Sequence, residues 1–280
     1  MKQIIKEYFL PPAAFHLIQR IKVLIGNARY SAQIDKENND VLKNAHVLER
    51  CFVVGTGPSI NNQDLTLLKN DFVIGVSGLF QHKDIDSLSP EYYVLPPVFR
   101  GHGENFDEND FISMLQDMDA SLDSSTVLFL DVYDKKYIEK YNIFRKKTIK
   151  WLNYLPWRRG VSIGEIKLLE MPSIVSVSEV AIQIAIYLGF KEIYLLGFDH
   201  SWQTGIFNHF NDDYNKYYDE KKLNKIIKRI DSEHEMERHA LMFNKYKALY
   251  RIKENIFNAN ANLSSYVDTF PKVRFDDLFN

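Results

Sequence analysis

The chain has 280 residues, 45% of them hydrophobic and 26% charged. That is enough for one large domain with a real core, and it excludes wholesale disorder. The formal net charge of −2 excludes a strongly basic nucleic-acid binder, and a single cysteine, Cys51, excludes a disulfide framework and any multi-cysteine metal site. Lone-cysteine usage fits a reducing compartment, so a cytoplasmic protein is expected. Aromatic residues make up 14%, and composition does not say whether those rings serve a core or a site.

At the N-terminus, the apolar stretch is broken by Pro11 and Pro12, then by His16, Gln19, Arg20 and Lys22, unlike a secretory signal. No run of 18 apolar residues occurs, so no membrane-spanning helix is expected. Residues 13–25 read as an amphipathic helix. Ala14, Leu17, Ile18, Ile21, Leu24 and Ile25 recur at helical spacing, Arg20 and Lys22 lie off that face, and Pro12 suits the first turn. Two readings stay open. The helix packs on its own domain or on a second subunit of a homo-oligomer, or it rests on the anionic surface of the inner membrane. Residues 31–48 are polar and read as a linker. Residues 1–48 are thus an expected extension, and 49–280 the main domain.

The main domain opens with short apolar runs. Cys51-Phe-Val-Val, Phe72-Val-Ile-Gly-Val, Tyr92-Tyr-Val-Leu, Thr126-Val-Leu-Phe-Leu, Glu192-Ile-Tyr-Leu-Leu and Asn255-Ile-Phe-Asn-Ala read as six strands. Continuous runs, rather than alternation, predict strands covered on both faces, as in a parallel sheet between helices. The clearest helix is 177–188, with Val177, Val180, Ala181, Ile184, Ala185 and Leu188 on one face, a Ser176/Glu179 capping box, and Gly189 as the stop. A second helix is expected near 233–252. Helix followed at once by strand is the grammar of an α/β fold, here a Rossmann-like, mostly parallel sheet.

Directly after the first strand comes Gly55-Thr56-Gly57-Pro58-Ser59. Two glycines allow close backbone approach, and Pro58-Ser59 can open a short helix whose N–H groups face an anion. The dinucleotide fingerprint fails because Ile60 stands where its third glycine belongs, and no Gly-Lys-Ser/Thr follows to make a P-loop. A tight strand-to-helix turn and a nucleotide-binding loop of another kind are the readings left. After the fifth run stands Gly197-Phe198-Asp199-His200-Ser201-Trp202, where strand ends meet ligands in such sheets. Asp199 reads as a site residue or as a loop cap, and His200 as a site residue or as a structural histidine.

Other candidates are weaker. His234 and His239 are five apart, about 140° around a helix, so they do not share one metal. Asp84-Ile-Asp86 and Asp117-Met-Asp119 match a metal-binding Asp-x-Asp only as well as chance allows, and no metal is expected. His209 and His102 fall in loops. Asn258, Asn260 and Asn262 alternate, so on a strand they would share a face and could read a base or sugar; they could equally end the strand in turns. Segment 198–218 holds Phe198, Trp202, Phe207, Phe210, Tyr214, Tyr217 and Tyr218 without a clean period. It reads as an aromatic lid, spanning about 200–232, that stacks on sugar, or as a loop packed across the domain edge.

Two blocks carry a resemblance. Residues 51–59 with Asp64-Leu-Thr-Leu-Leu-Lys-Asn and Val73-Ile-Gly-Val-Ser, and then 176–199, ending Leu196-Gly197-Phe198-Asp199, resemble the bacterial sialyltransferases of glycosyltransferase family 42. They also resemble the related motility accessory factors and pterin-diphosphokinase-like proteins. The resemblance covers about half the chain. It implies a GT-A-variant, metal-independent, inverting glycosyltransferase that needs no cofactor and takes a CMP-sugar donor. Gly55, Thr56, Gly57, Pro58 and Ser59 would meet the nucleotide, with Ser77, Ser176, Ser178, Gly197 and Asn260 around it. The family's general base is a histidine ahead of the last helix, which implies His234, His209 or His200, with Asp199 beside the donor. A histidine suits that role because its ordinary pKa lies near working pH. Where the sialyltransferases carry an Asn after the second and third strands, this chain has Ser77 and Leu95.

The expected function is transfer of a CMP-activated acidic sugar, a sialic-acid-like nonulosonate or Kdo, onto a lipopolysaccharide or capsule glycan, with a glycan or lipid-linked glycan as acceptor. Two alternatives stand beside it. One is an ATP-dependent diphosphokinase, which would need a carboxylate cluster for Mg²⁺. The other is a non-catalytic protein of glycan assembly, which the changes at Ser77 and Leu95 would fit.

Overall fold

The computed structural model describes residues 14, 18, 21, 25, 41–98, 107–154, 163–200, 210, 233–260 and 265–280, with backbone alone for 233–236. Among these, seven strands form one sheet: β1 Arg50–Val54, β2 Phe72–Val76, β3 Tyr92–Val94, β4 Val127–Asp131, β5 Thr148–Leu152, β6 Glu192–Leu196 and β7 Ile256–Asn258. Their order is β5-β4-β3-β2-β1-β6-β7, and every neighbouring pair is parallel. The helices are α1 Ile85–Leu88, α2 Glu108–Ser121, α3 Lys135–Lys140, α4 Val177–Leu188 and α5 Glu233–Ile252. The class is α/β, as the apolar runs predict.

Each strand feeds two cores because successive side chains point to opposite faces. Cys51 and Val53 of β1 join Ile193 and Leu195 of β6 on one side, where α4 brings Val180, Ala181 and Ile184 and α5 brings Met242, Tyr246 and Leu249. Phe52 and Val54 join Tyr194 and Leu196 on the other, under Ile112, Leu115 and Met118 of α2 and the 3-10 turns that hold Ile60, Leu65 and Leu68. Burial on both faces is why the strand sequences do not alternate.

The helix α4 forms where its pattern predicts. Ser176 caps it, its side chain accepting from the Ser178 amide at 3.3 Å, and Glu179 reaches back to accept from the Val175 amide at 2.8 Å. Gly189 ends it at φ +88, a left-handed conformation suited to glycine. A Cβ there would also meet Asn44 Cα at 2.7 Å.

Two expectations need correction. The strand β5 is absent from the sequence reading. Its residues Thr148-Ile-Lys-Trp-Leu follow the basic run Arg145-Lys146-Lys147 and are interrupted by Lys150, so they make no continuous apolar run; yet Lys150 is buried and Leu152 is in the core. Residues 41–48 are not a linker. Asn44 N donates to Tyr187 O at 3.0 Å, His46 N donates to Leu188 O at 2.9 Å, and the His46 ring stacks on Phe190 at 4.5 Å. Backbone amides of this segment satisfy carbonyls at the end of α4. Among the described residues, no helix is long and apolar enough to cross a membrane.

The topology positions the site. From β1 the chain lays β2 to β5 outward on one side, then returns to place β6 and β7 on the other. Strand order therefore reverses between β1 and β6, and the crevice outside their carboxyl ends is where such sheets bind ligands. The helices α4 and α5 each lead into a parallel strand, so they run against the strand direction and start at that same edge.

Candidate functional site

The two blocks singled out in the sequence meet at this switch point. Gly55 N donates to Leu196 O at 2.8 Å, and Gly57 N donates to Gly197 O at 3.0 Å. The loops touch backbone to backbone. A Cβ on Gly55 would stand 2.8 Å from Gly197 O, and one on Gly197 would stand 2.8 Å from Gly55 O. Gly197 also holds φ +67. The glycines are thus required first by the packing of one loop on the other.

The carboxylate of Asp199 joins the two loops. Its Oδ2 accepts from Ser59 N at 3.2 Å and from Ser59 Oγ at 2.8 Å; its Oδ1 accepts from Asn260 Nδ2 at 3.1 Å. The sequence reading has the amides at the start of the Pro58 turn facing a ligand anion. In the structure the Ser59 amide faces Asp199 instead. Burial pushes the Asp199 pKa up, and the hydrogen bonds from Ser59 and Asn260 oppose that. Asn260 in turn accepts from Phe198 N at 2.9 Å. Ser265 Oγ donates to Phe198 O at 2.6 Å and accepts from Asn258 Nδ2 at 3.1 Å, and Tyr266 N donates to Asp199 O at 3.1 Å. Asn258 and Asn260 therefore hold the backbone at the end of β6. Asn262 lies outside the described residues.

His200 continues from this latch into the core. Its backbone is at φ +50 and its side chain is buried. Its Nε2 pairs with Tyr246 Oη at 3.0 Å, with the rings of Phe198 and Phe243 around it. Burial, reinforced by nearby His239, lowers its pKa to about 3. The ring is therefore neutral at ordinary pH and serves as a hydrogen-bonded part of the α5 packing. Tyr246 also hydrogen-bonds Ser178, which links the start of α4 to the same cluster.

Exposure sorts the candidates into a floor and a rim. Gly55, Ser59, Gly197, Asp199, His200 and Asn260 are buried and form the floor. Thr56, Gly57, Pro58, Ser77, Ser176 and Ser178 are partly exposed and form the rim, where a ligand can reach them. Ser77 sits at φ +49, with its carbonyl held by Tyr93 Oη at 2.9 Å. His234 lies in the first turn of α5, its side chain outside the described residues, as is all of His209. His239, on the same helix, is partly exposed.

Of the aromatic segment, Phe210 is described and the flanking residues 201–209 and 211–232, with Trp202 and Phe207, are not. Phe210 is packed as a core residue rather than offered to a ligand. Its N donates to Thr56 O at 3.0 Å, its carbonyl accepts from Asn61 Nδ2 at 2.6 Å, and its ring lies 5.0 Å from His82. Of the Asp-x-Asp aspartates, Asp119 accepts from Phe144 N at 2.8 Å and pairs with Lys147 at 3.3 Å. Tyr246, Ser265, His82 and Asn61 escape sequence reading. Each is a single polar residue in an apolar or loop setting, and only its distant partner gives it meaning.

No protein-family model matches the chain, and no curated protein matches it. Among solved structures, it is similar to the sialyltransferase CstII from Campylobacter jejuni, solved in complex with the substrate analogue cytidine-5′-monophosphate. The identity is 14% and the TM-score 0.41, over 81% of this chain and 85% of that one.

Proposed function

We propose that the protein is a glycosyltransferase that takes a CMP-activated acidic sugar, a nonulosonate or Kdo, and transfers it to a bacterial surface glycan, free or lipid-linked, in the cytoplasm. One observation carries the reading. The Gly-x-Gly-Pro-Ser loop and the Gly-x-Asp strand end, 140 residues apart, are latched together by Asp199 at the switch point of a parallel sheet. A rigid floor of this kind supports a rim of Thr56, Gly57, Pro58, Ser77, Ser176 and Ser178, which suits a nucleotide phosphate and ribose.

The general base is assigned to the first turns of α5, at His234 or His239, with His209 as the third candidate. His200, sealed and neutral, is assigned a positioning role beneath them. In the proposed step the base takes the proton of an acceptor hydroxyl as that oxygen bonds to the anomeric carbon. The bond from that carbon to the phosphate oxygen breaks, and CMP leaves with the electron pair, inverting the carbon. The hydroxyls of Ser176 and Ser178 stand at the start of α4, where the helix dipole favours the departing negative charge. This chemistry uses no resident cofactor and no metal.

Calorimetry with CMP, CTP, UDP, GDP and ATP tests the donor class. CMP and CTP are expected to bind, and binding of another nucleotide in their place would overturn the assignment. Alanine at His234, His239 and His209 in turn, assayed for CMP release from CMP-sugars, is expected to lower turnover at least 100-fold at one of them.

A further inference from the structure

The N-terminal helix has no place in the chemistry proposed above. Residues 14, 18, 21 and 25 have helical backbone. Ile18, Ile21 and Ile25 are 40%, 46% and 64% exposed, although isoleucine is among the residues most often fully buried. At 3.6 residues per turn these four positions fall within about 60° of one another. The three isoleucines therefore form one stripe and are not scattered surface residues. In the sequence, Leu17 and Leu24 adjoin the stripe and widen it to about 120°. Arg20 and Lys22 lie outside the described residues; projected from the sequence onto an ideal helix, they fall about 40° beyond the two margins, one on each side. On the same projection His16 and Gln19 fall on the far side, where Val23 is an apolar exception, and Phe15 falls just past Lys22. Between Tyr8 and Ile34 there is no Asp or Glu, and Arg20, Lys22 and Arg29 carry the charge.

This pattern selects among occupants. A partner helix in a coiled coil takes a narrow seam sustained over about three heptads or more, and residues 13–25 span fewer than two. A wide apolar stripe with a cation at each margin matches a bilayer surface. The isoleucines enter the acyl boundary while the long cationic side chains reach back to anionic headgroups. We propose that residues 13–25 bind the surface of an anionic bilayer, lying in its plane on Ile18, Ile21 and Ile25. This is independent of the glycosyltransferase reading and would stand if that reading failed.

The test is sedimentation of the full chain with vesicles of phosphatidylcholine alone and of phosphatidylcholine with phosphatidylglycerol, at low and high salt. Binding to the anionic vesicles is expected, with at least a fivefold loss in I18E/I21E/I25E, a similar loss in R20E/K22E, and a loss on raising salt. Circular dichroism should be unchanged in both variants; if the triple variant misfolds, R20E/K22E and the salt series decide. No sedimentation with either vesicle overturns the proposal, as does equal sedimentation of wild type and variants. A dimer by light scattering that I18E/I21E/I25E converts to monomer, with no vesicle binding, also overturns it and assigns the stripe to a second copy of the chain.

Discussion

Gly57 has no room for a side chain: a Cβ there would stand 2.0 Å from Asp199 Oδ2 and 2.5 Å from Gly197 O. Asp199 fills that space and holds both loops through Ser59 and Asn260. In D199A the Ser59 amide, the Ser59 hydroxyl and the Asn260 amide lose their acceptor in a buried place. Each such orphan costs about 1–3 kcal/mol. D199A is expected to lose several kcal/mol in urea titration, and D199N, which keeps one oxygen acceptor, less. His200 sets a pH dependence. Its folded pKa, about 3, lies below its unfolded value near 6.5. The unfolded chain therefore takes up a proton that the folded chain refuses, so this stabilisation is full above about pH 6.5 and is lost as pH falls toward 3, by up to about 1.4 kcal/mol per pH unit. H200Q, which leaves Tyr246 a polar partner, should flatten that acid limb in denaturation curves taken across the interval.

At the scale of elements, α4 and α5 are joined by a buried ion pair. Lys245 Nζ donates to Glu179 Oε1 at 2.7 Å and also to Ser173 O, and Arg238 Nη2 donates to Val175 O at 3.0 Å. These bonds tie the segment that leads into Ser176 to the helix that carries His234 and His239. Removing one partner leaves the other charge buried and alone. K245M should cost about 3–5 kcal/mol, while E179L/K245M, with both charges gone, should recover most of that. Equilibrium unfolding of the two variants checks the difference. The helix itself was legible because its caps and apolar face are local. Glu179 was legible as half of a capping box, but Lys245, 66 residues away, was not. The strand β5 was hidden for a related reason: Lys150 interrupts its apolar run, and only the neighbouring strand and core bury it.

For the whole molecule, a ligand at the switch point stabilises the fold it bridges. At 100 times its Kd a nucleotide adds about 2.7 kcal/mol. For a chain of this size that is a rise of about 4–8 °C in Tm. CMP should produce this rise, UDP and GDP should not, and D199A should lose it with the floor; a thermal scan reads all three.

Apolar runs without alternation, a capped helix and a glycine loop at a strand end determined the α/β class and marked both halves of the candidate site, because each is a property of neighbouring residues. Strand order, the choice of Asp199 as the anion at the Pro58 turn, the sealing of His200 against Tyr246 and the burial of Phe210 were decided only by tertiary structure. Each depends on a partner brought from far along the chain, and no local period or spacing encodes which partner that is.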